Sequence, residues 1–93
     1  MIQSTRGKLI LSVLDGAPRK GFRADLMHRA QAMLSALDAA VELEDLRFPP
    51  GNHLEKLSGD RKGQHSVRIN RQWRFCFTWT AKGPVGVELV DYH

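Results

Sequence analysis

Two groups of residues in this 93-residue chain have the types and spacing for proton transfer or phosphate chemistry. The first is the run Asp91-Tyr92-His93, which collects three side chains able to exchange protons or hold charge. An imidazole at His93, oriented or made more basic by Asp91 or by the α-carboxylate it carries, would suit a general acid or base. In a strand Tyr92 faces away from its two neighbours, so the three groups converge only where the run bends. The plain alternative is a frayed or simply packed tail.

The second group is a pair of arginines, Arg68 and Arg74. Guanidinium groups are planar forks of fixed donors that match phosphate oxygens. Two of them would stabilise the extra negative charge of a five-coordinate phosphorus. Otherwise they are solvated charges on an open sheet face. Upstream, His53, Glu55 and Lys56 follow Pro49-Pro50-Gly51. On a strand His53 and Glu55 share a face, which makes Glu55 either a proton-transfer group or a polar strand edge. His53, His65 and His93, with Asp91 or Glu55, show no paired ligand spacing, so no metal site is expected. A Gly-rich phosphate loop, a serine-nucleophile motif and a dinucleotide fingerprint are all lacking, so no cofactor is expected. Metal-free acid–base chemistry is what remains.

The elements that must position these groups follow from periodicity. Ile2-Gln3-Ser4 reads as a short edge-like start, and Lys8 to Leu14 as a short helix stopped at Asp15-Gly16. Leu26, Ala30, Met33, Leu34 and Leu37 recur at helical spacing and predict a main helix from Arg23 to about Ala40. Val41 to Leu46 could add a further turn before the two prolines, which cannot continue a hydrogen-bonded helix. Strand patterns follow: a short one around Leu54 to Leu57, then His65 to Ile69, Trp73 to Thr80 and Val85 to Tyr92. The short connections at Asn70-Arg71-Gln72 and Ala81-Lys82-Gly83-Pro84 suit antiparallel hairpins. Alternation sets Trp73, Phe75, Phe77 and Trp79 towards the helices and Arg74, Cys76 and Thr78 on the opposite face. The expected class is α+β: one antiparallel sheet with the N-terminal helices packed on one face, in a single domain over residues 1–93.

Composition is ordinary for a folded domain, with 42% apolar and 26% charged residues. Cys76 is the only cysteine and lies in an apolar run, which makes it a structural thiol rather than a nucleophile. The N-terminal apolar run is too short for a signal peptide and no membrane partner is expected, so a cytoplasmic location is the default. The net charge of +4 permits, without requiring, a polyanionic partner. Lys and Arg outnumber Asp and Glu by seven to four after residue 52, against seven to six before it.

Leu54-Glu55-Lys56-Leu57-Ser58-Gly59-Asp60-Arg61-Lys62-Gly63, Ser66 to Asn70, Gln72 to Phe75 and Asp91-Tyr92-His93 resemble HigB-like toxins in order and spacing. The helices and the stretch Ala36 to Ala40 agree in placement, so the resemblance covers nearly the whole chain. It implies a RelE-like fold and cleavage of messenger RNA during translation in the ribosomal A site. It also implies neutralisation by a cognate helix-turn-helix antitoxin, through which operator DNA would be contacted indirectly. By the same resemblance Arg68, Arg74, Asp91, Tyr92 and His93 fall on or beside active-site positions. Glu55 stands where some members carry histidine, which leaves the acid and base roles between Glu55 and His93. His65 stands where a bulkier aromatic is often found. Lys56, Arg61, Lys62, Arg71 and Lys82 are the expected contacts to the RNA backbone. The competing expectations are a non-catalytic RNA- or ribosome-binding module and a regulatory partner of a DNA-binding antitoxin.

Overall fold

A computed structural model describes residues 1–16 and 23–91. Tyr92 and His93 lie outside the described residues. The elements run β1 (Thr5–Arg6), α1 (Leu9–Asp15), α2 (Ala24–Ala39), β2 (Glu55–Lys56), β3 (His65–Arg68), β4 (Trp73–Thr80) and β5 (Gly83–Asp91). Short 3-10 turns at Leu43–Arg47, Pro50–Asn52 and Gly59–Arg61 join α2 to the sheet and β2 to β3. Among the described residues no helix is long and apolar enough to cross a membrane.

Both helices form where periodicity places them. α1 stops at Gly16, whose φ of 68° is the left-handed conformation that lets its N–H return to the Ser12 and Val13 carbonyls. α2 buries Leu26, Ala30, Met33, Leu34 and Leu37, which lie three or four residues apart on one stripe. The segment after α2 does not extend it. Asp45 Oδ2 accepts the Val41 and Glu42 N–H groups at 2.9 and 3.0 Å, and this capping box starts a tighter turn.

The sheet has the order β1-β5-β4-β3-β2. β2 to β5 are antiparallel, as the short connections require, but β1 runs parallel to β5, with Thr5 opposite Val87 and Arg6 opposite Glu88. The sheet is therefore mixed, and its first strand falls just after the Ile2-Gln3-Ser4 start expected from the sequence. No tight turn links β1 to β5, so no local geometry forces them antiparallel. The contact is fixed by Gln3 N–H to the Pro84 carbonyl at 2.9 Å, Val87 N–H to the Ser4 carbonyl at 3.0 Å and Gly86 N–H to Ser4 Oγ at 2.8 Å. Close approach also explains Gly83, since a Cβ there would lie 2.1 Å from the Met1 carbonyl oxygen.

Val67, Phe75, Phe77, Val87 and Leu89 face Ile10, Val13 and the α2 stripe to form the core. Trp73 and Trp79 pack at its margins, as the aromatic alternation of β4 predicts. Between Cys76 and Thr78 the register against β5 shifts, with Cys76 opposite Glu88 but Thr78 opposite Val85. The extra residue lies on β5, where Gly86 takes φ 61°. On the opposite face, the Cα pairing aligns Arg6, Glu88, Cys76, Ser66 and Glu55 across all five strands.

Asn52 holds the α2-to-sheet connection. It is buried, and its Nδ2 donates to the Leu46 and Phe48 carbonyls at 3.1 Å each. Replacing Asn52 with Leu keeps the approximate volume but leaves those carbonyls without that donor. Equilibrium urea unfolding of Asn52→Leu should show a stability loss of about 1–3 kcal/mol at unchanged m-value. An unchanged midpoint would mean that the loop is held by other contacts.

Candidate active site

Arg74 is at the centre of the face away from the helices. Its side chain is only 8% exposed, although period-two alternation sets it opposite the aromatic core positions. A desolvated guanidinium must be hydrogen-bonded, and two segments supply acceptors while a third brings a carboxylate into ion-pair range. Nε donates to Ser66 Oγ on β3 at 2.9 Å, and Nη2 donates to the His53 carbonyl at 2.7 Å. Nη1 lies 3.7 Å from Glu55 Oε1 on β2, whose side chain is 50% exposed. The alternative of solvated charge on an open face therefore fails for Arg74: the neighbouring segment covers it.

The covering segment is a consequence of the proline break. Pro50–Asn52 forms one 3-10 turn, and His53 ends it in the left-handed conformation at φ 44°. That conformation is uncommon for a residue with a Cβ. Here it turns the His53 carbonyl onto Arg74 while the chain enters β2. β2 then pairs Glu55 with Ser66, and β3 pairs Ser66 with Cys76 and Arg68 with Arg74. Glu55, Ser66, Arg68 and Arg74 consequently share one face of the sheet.

Arg68 is half-buried at the end of β3, with Nε donating to the Asn70 carbonyl at 3.1 Å. The hairpin beyond it is tied by Asn70 Oδ1, which accepts the Gln72 and Trp73 N–H groups at 2.8 Å each. Asp91 pairs in register with Trp73, which puts it on the sheet face opposite Arg74. Its Oδ2 accepts Gln72 Nε2 at 3.1 Å. Of the residues singled out in the sequence, the structure thus brings together Glu55, Arg68 and Arg74. It places Asp91 at the neighbouring strand end.

The expected backbone contacts are scattered. Arg61 lies beside the site's face, with Nη1 donating to Glu88 Oε1 at 3.1 Å and to Gln64 Oε1 at 3.2 Å. Lys62 is exposed next to it, Arg71 is exposed at the β3–β4 hairpin, and Lys56 pairs with His65 on the face opposite Glu55. Lys82 is exposed in the β4–β5 turn, roughly 25 Å from Arg71 along the length of β4. Sequence reasoning missed Ser66 and the His53 carbonyl. Ser66 was accessible as the residue whose strand alternation matches Arg68. A backbone carbonyl has no side-chain signature.

Burial pushes the Cys76 thiol above its ordinary pKa, which keeps it protonated and agrees with a structural role. Among the described residues no group of three or more His, Cys, Asp or Glu side chains lies close enough to hold a metal ion. His65 stands apart from the site. Its ring stacks on Phe77 with centroids 6.5 Å apart and planes at 25°, and Nδ1 is buried with no hydrogen-bond partner among the described residues. Burial, followed by the positive charges of Lys56 and Arg47, holds its pKa below the usual histidine value. A folded-state pKa below the unfolded one contributes stability that is present above the unfolded value, near 6.5, and is lost as pH falls towards the folded value. Acidification from about pH 7 to pH 5 should destabilise the wild type more than His65→Phe, read as the slope of unfolding free energy against pH. Equal slopes would remove His65 from the acid response.

Residues 13–93 match the sequence profile of HigB-like toxins, described as the RelE-like toxin of the type II toxin–antitoxin system HigB. Toxin HigB-1 of Vibrio cholerae is 52% identical over 59 residues, a match spanning 63% of this chain and 58% of that protein. Endoribonuclease HigB of Proteus vulgaris is 28% identical over the full length of both chains. Among solved structures, a chain of the YoeB–YefM complex from Staphylococcus aureus superposes with a TM-score of 0.60 at 16% identity, covering 100% of this chain and 98% of that one. The YoeB dimer from the same organism gives 0.55 at 19% identity, covering 99% and 94%. These two likenesses establish the shared fold.

Proposed function

The chain belongs to the HigB-like family of RelE-like toxins, and we propose that it is an endoribonuclease that cuts messenger RNA on the translating ribosome. The observation carrying this reading is Arg74, a buried guanidinium held by Ser66 and His53 with the half-exposed Glu55 carboxylate 3.7 Å away. The name of the Proteus vulgaris relative, Endoribonuclease HigB, supports the same reaction class.

In the proposed reaction the ribose 2′-oxygen attacks the adjacent phosphorus while a base removes its proton. The 5′-oxygen leaves and takes a proton from an acid, giving a 2′,3′-cyclic phosphate and a 5′-hydroxyl end. RNA provides its own nucleophile, so the protein has to place the phosphate, stabilise charge and move two protons. Arg74 stabilises the charge that accumulates on the non-bridging oxygens, and Arg68, opposite it on β3, adds a second guanidinium. Glu55 is the proton carrier beside the phosphate, and Tyr92 and His93 are assigned the remaining transfer and base packing from the family pattern. Asp91 is assigned the orientation of His93. Arg61, Lys62 and Arg71 offer backbone contacts around this face, whereas Lys56 points to the other face and Lys82 lies at the far end of β4, where they could meet only more distant parts of an RNA.

The proposal includes a cognate helix-turn-helix antitoxin as partner, contact with operator DNA through that antitoxin, and action in the cytoplasm where messages are translated.

Mapping RNA ends after mixing the purified chain with translating ribosomes tests the reading. Arg74→Lys keeps the charge but loses the planar fork, and should lower the cleavage rate by about 100-fold or more while the circular dichroism spectrum is retained. Glu55→Gln should lower kcat with little change in KM. Full activity in a folded Arg74→Lys chain would remove Arg74 from the mechanism. Arrested translation without new 5′-hydroxyl ends would overturn the enzyme reading in favour of a binding module.

A further inference from the structure

A cleft of ≈ 420 Å³ opens beside the site, between α2, the Phe48–Asn52 loop and the end of β3. Its α2 wall carries Arg29, Ala32 and Ala36, three and four residues apart on one helical stripe. Phe48 forms the opposite wall and is 72% exposed, an aromatic ring standing in water rather than in the core. The loop bearing it is anchored, because Asn52 Nδ2 holds the Phe48 carbonyl at 3.1 Å. Arg68 closes the end nearest the site, and its Cα partner across the sheet is Arg74.

We propose that this cleft is a nucleotide-binding subsite in which an RNA base stacks on Phe48 while Arg29 and Arg68 hold the adjoining phosphate. The inference rests on the RNA-cleaving reading and extends it to a neighbouring nucleotide. Three observations select this occupant. Two guanidinium groups flank the cleft, and among its described lining residues there is no carboxylate, so its charge suits an anion. Ala32, Ala36 and the exposed Phe48 line the same cleft, which gives a flat base an aromatic face to stack on beside small side chains that leave it room. Finally, Arg68 belongs to both the cleft and the ladder pair with Arg74, which makes the two regions continuous along one strand of nucleic acid. Stacking accepts any base, since every base has a π-face, so this subsite supplies affinity and position rather than sequence preference.

The test uses a short single-stranded RNA carrying 2′-O-methyl groups, which binds without being cut, titrated into the full chain with the alanine methyl groups observed by NMR. Ring-current shifts are expected at Ala32 and Ala36. Phe48→Ala should weaken binding about tenfold or more, Phe48→Trp should restore it, and Ala32→Leu should weaken it by filling the cleft. Because Phe48 is exposed, its replacement leaves the core intact. Unshifted alanine methyls, or equal affinity in Phe48→Ala, would overturn the subsite. So would loss of purified antitoxin binding in Phe48→Ala at unchanged RNA affinity, which would assign the groove to a protein helix. The uncut RNA reports on the subsite whether or not the chain cleaves messages, so failure here is distinct from failure to produce 5′-hydroxyl ends on ribosomes.

Discussion

Taking one guanidinium out of water constrains this half of the molecule more than any other interaction. A buried arginine cannot shed its proton, so its donors must be met by fixed acceptors or the fold bears an uncompensated charge. Among the described residues, Ser66 Oγ and the His53 carbonyl accept from Arg74 and the Glu55 carboxylate lies in ion-pair range, and each comes from a different segment. The hydroxyl requires β3 in its observed register, because a shift of one residue would replace Ser66 with His65 or Val67 and turn the polar set towards the helices. The carbonyl requires the left-handed turn at His53. The carboxylate requires β2, an edge strand of only two residues that has little core of its own.

The two faces of the sheet divide the work accordingly. Phe75 and Phe77 seat β4 on the helices, and that packing decides where Arg74 must point, because alternation leaves only the other side. The other face is not simply solvated. Cys76 and Ser66 are fully buried on it, and Arg61 folds over towards Glu88 from the β2–β3 connection. The site thus comes from pairing one long aromatic strand with a polar cover held by short turns.

Sequence periodicity captured the parts whose determinants are local. α2 follows from Leu26, Ala30, Met33, Leu34 and Leu37, and the β3–β4 hairpin from Asn70 between two alternating runs. The missed features depend on partners distant in the chain. β1 pairs parallel to β5 through Ser4 and Gly86, 82 residues apart, and nothing in either segment states the direction. The position of Asp91 opposite Trp73 depends on the β4–β5 register, which places this carboxylate on the face away from Arg74. The arginine pair was visible as residue types and strand phase. Its burial was not, because the cover includes a main-chain carbonyl from beyond a proline break.

The unequal exposure of Glu55 and Arg74 suits the roles proposed for them. A group that stabilises developing charge works best when its donors are already oriented and little water must rearrange, which favours burial and fixed hydrogen bonds. A proton carrier has the opposite need: it must meet a substrate hydroxyl and regain its starting protonation state between turnovers, which requires access to solvent or product. An 8% exposed guanidinium next to a 50% exposed carboxylate satisfies both conditions within one ion pair. Were the exposures reversed, a mobile arginine would have to be ordered with each substrate and a buried carboxylate would be slow to exchange its proton. Glu55 lies on the edge strand β2 and Arg74 on the central strand β4, positions that agree with that asymmetry.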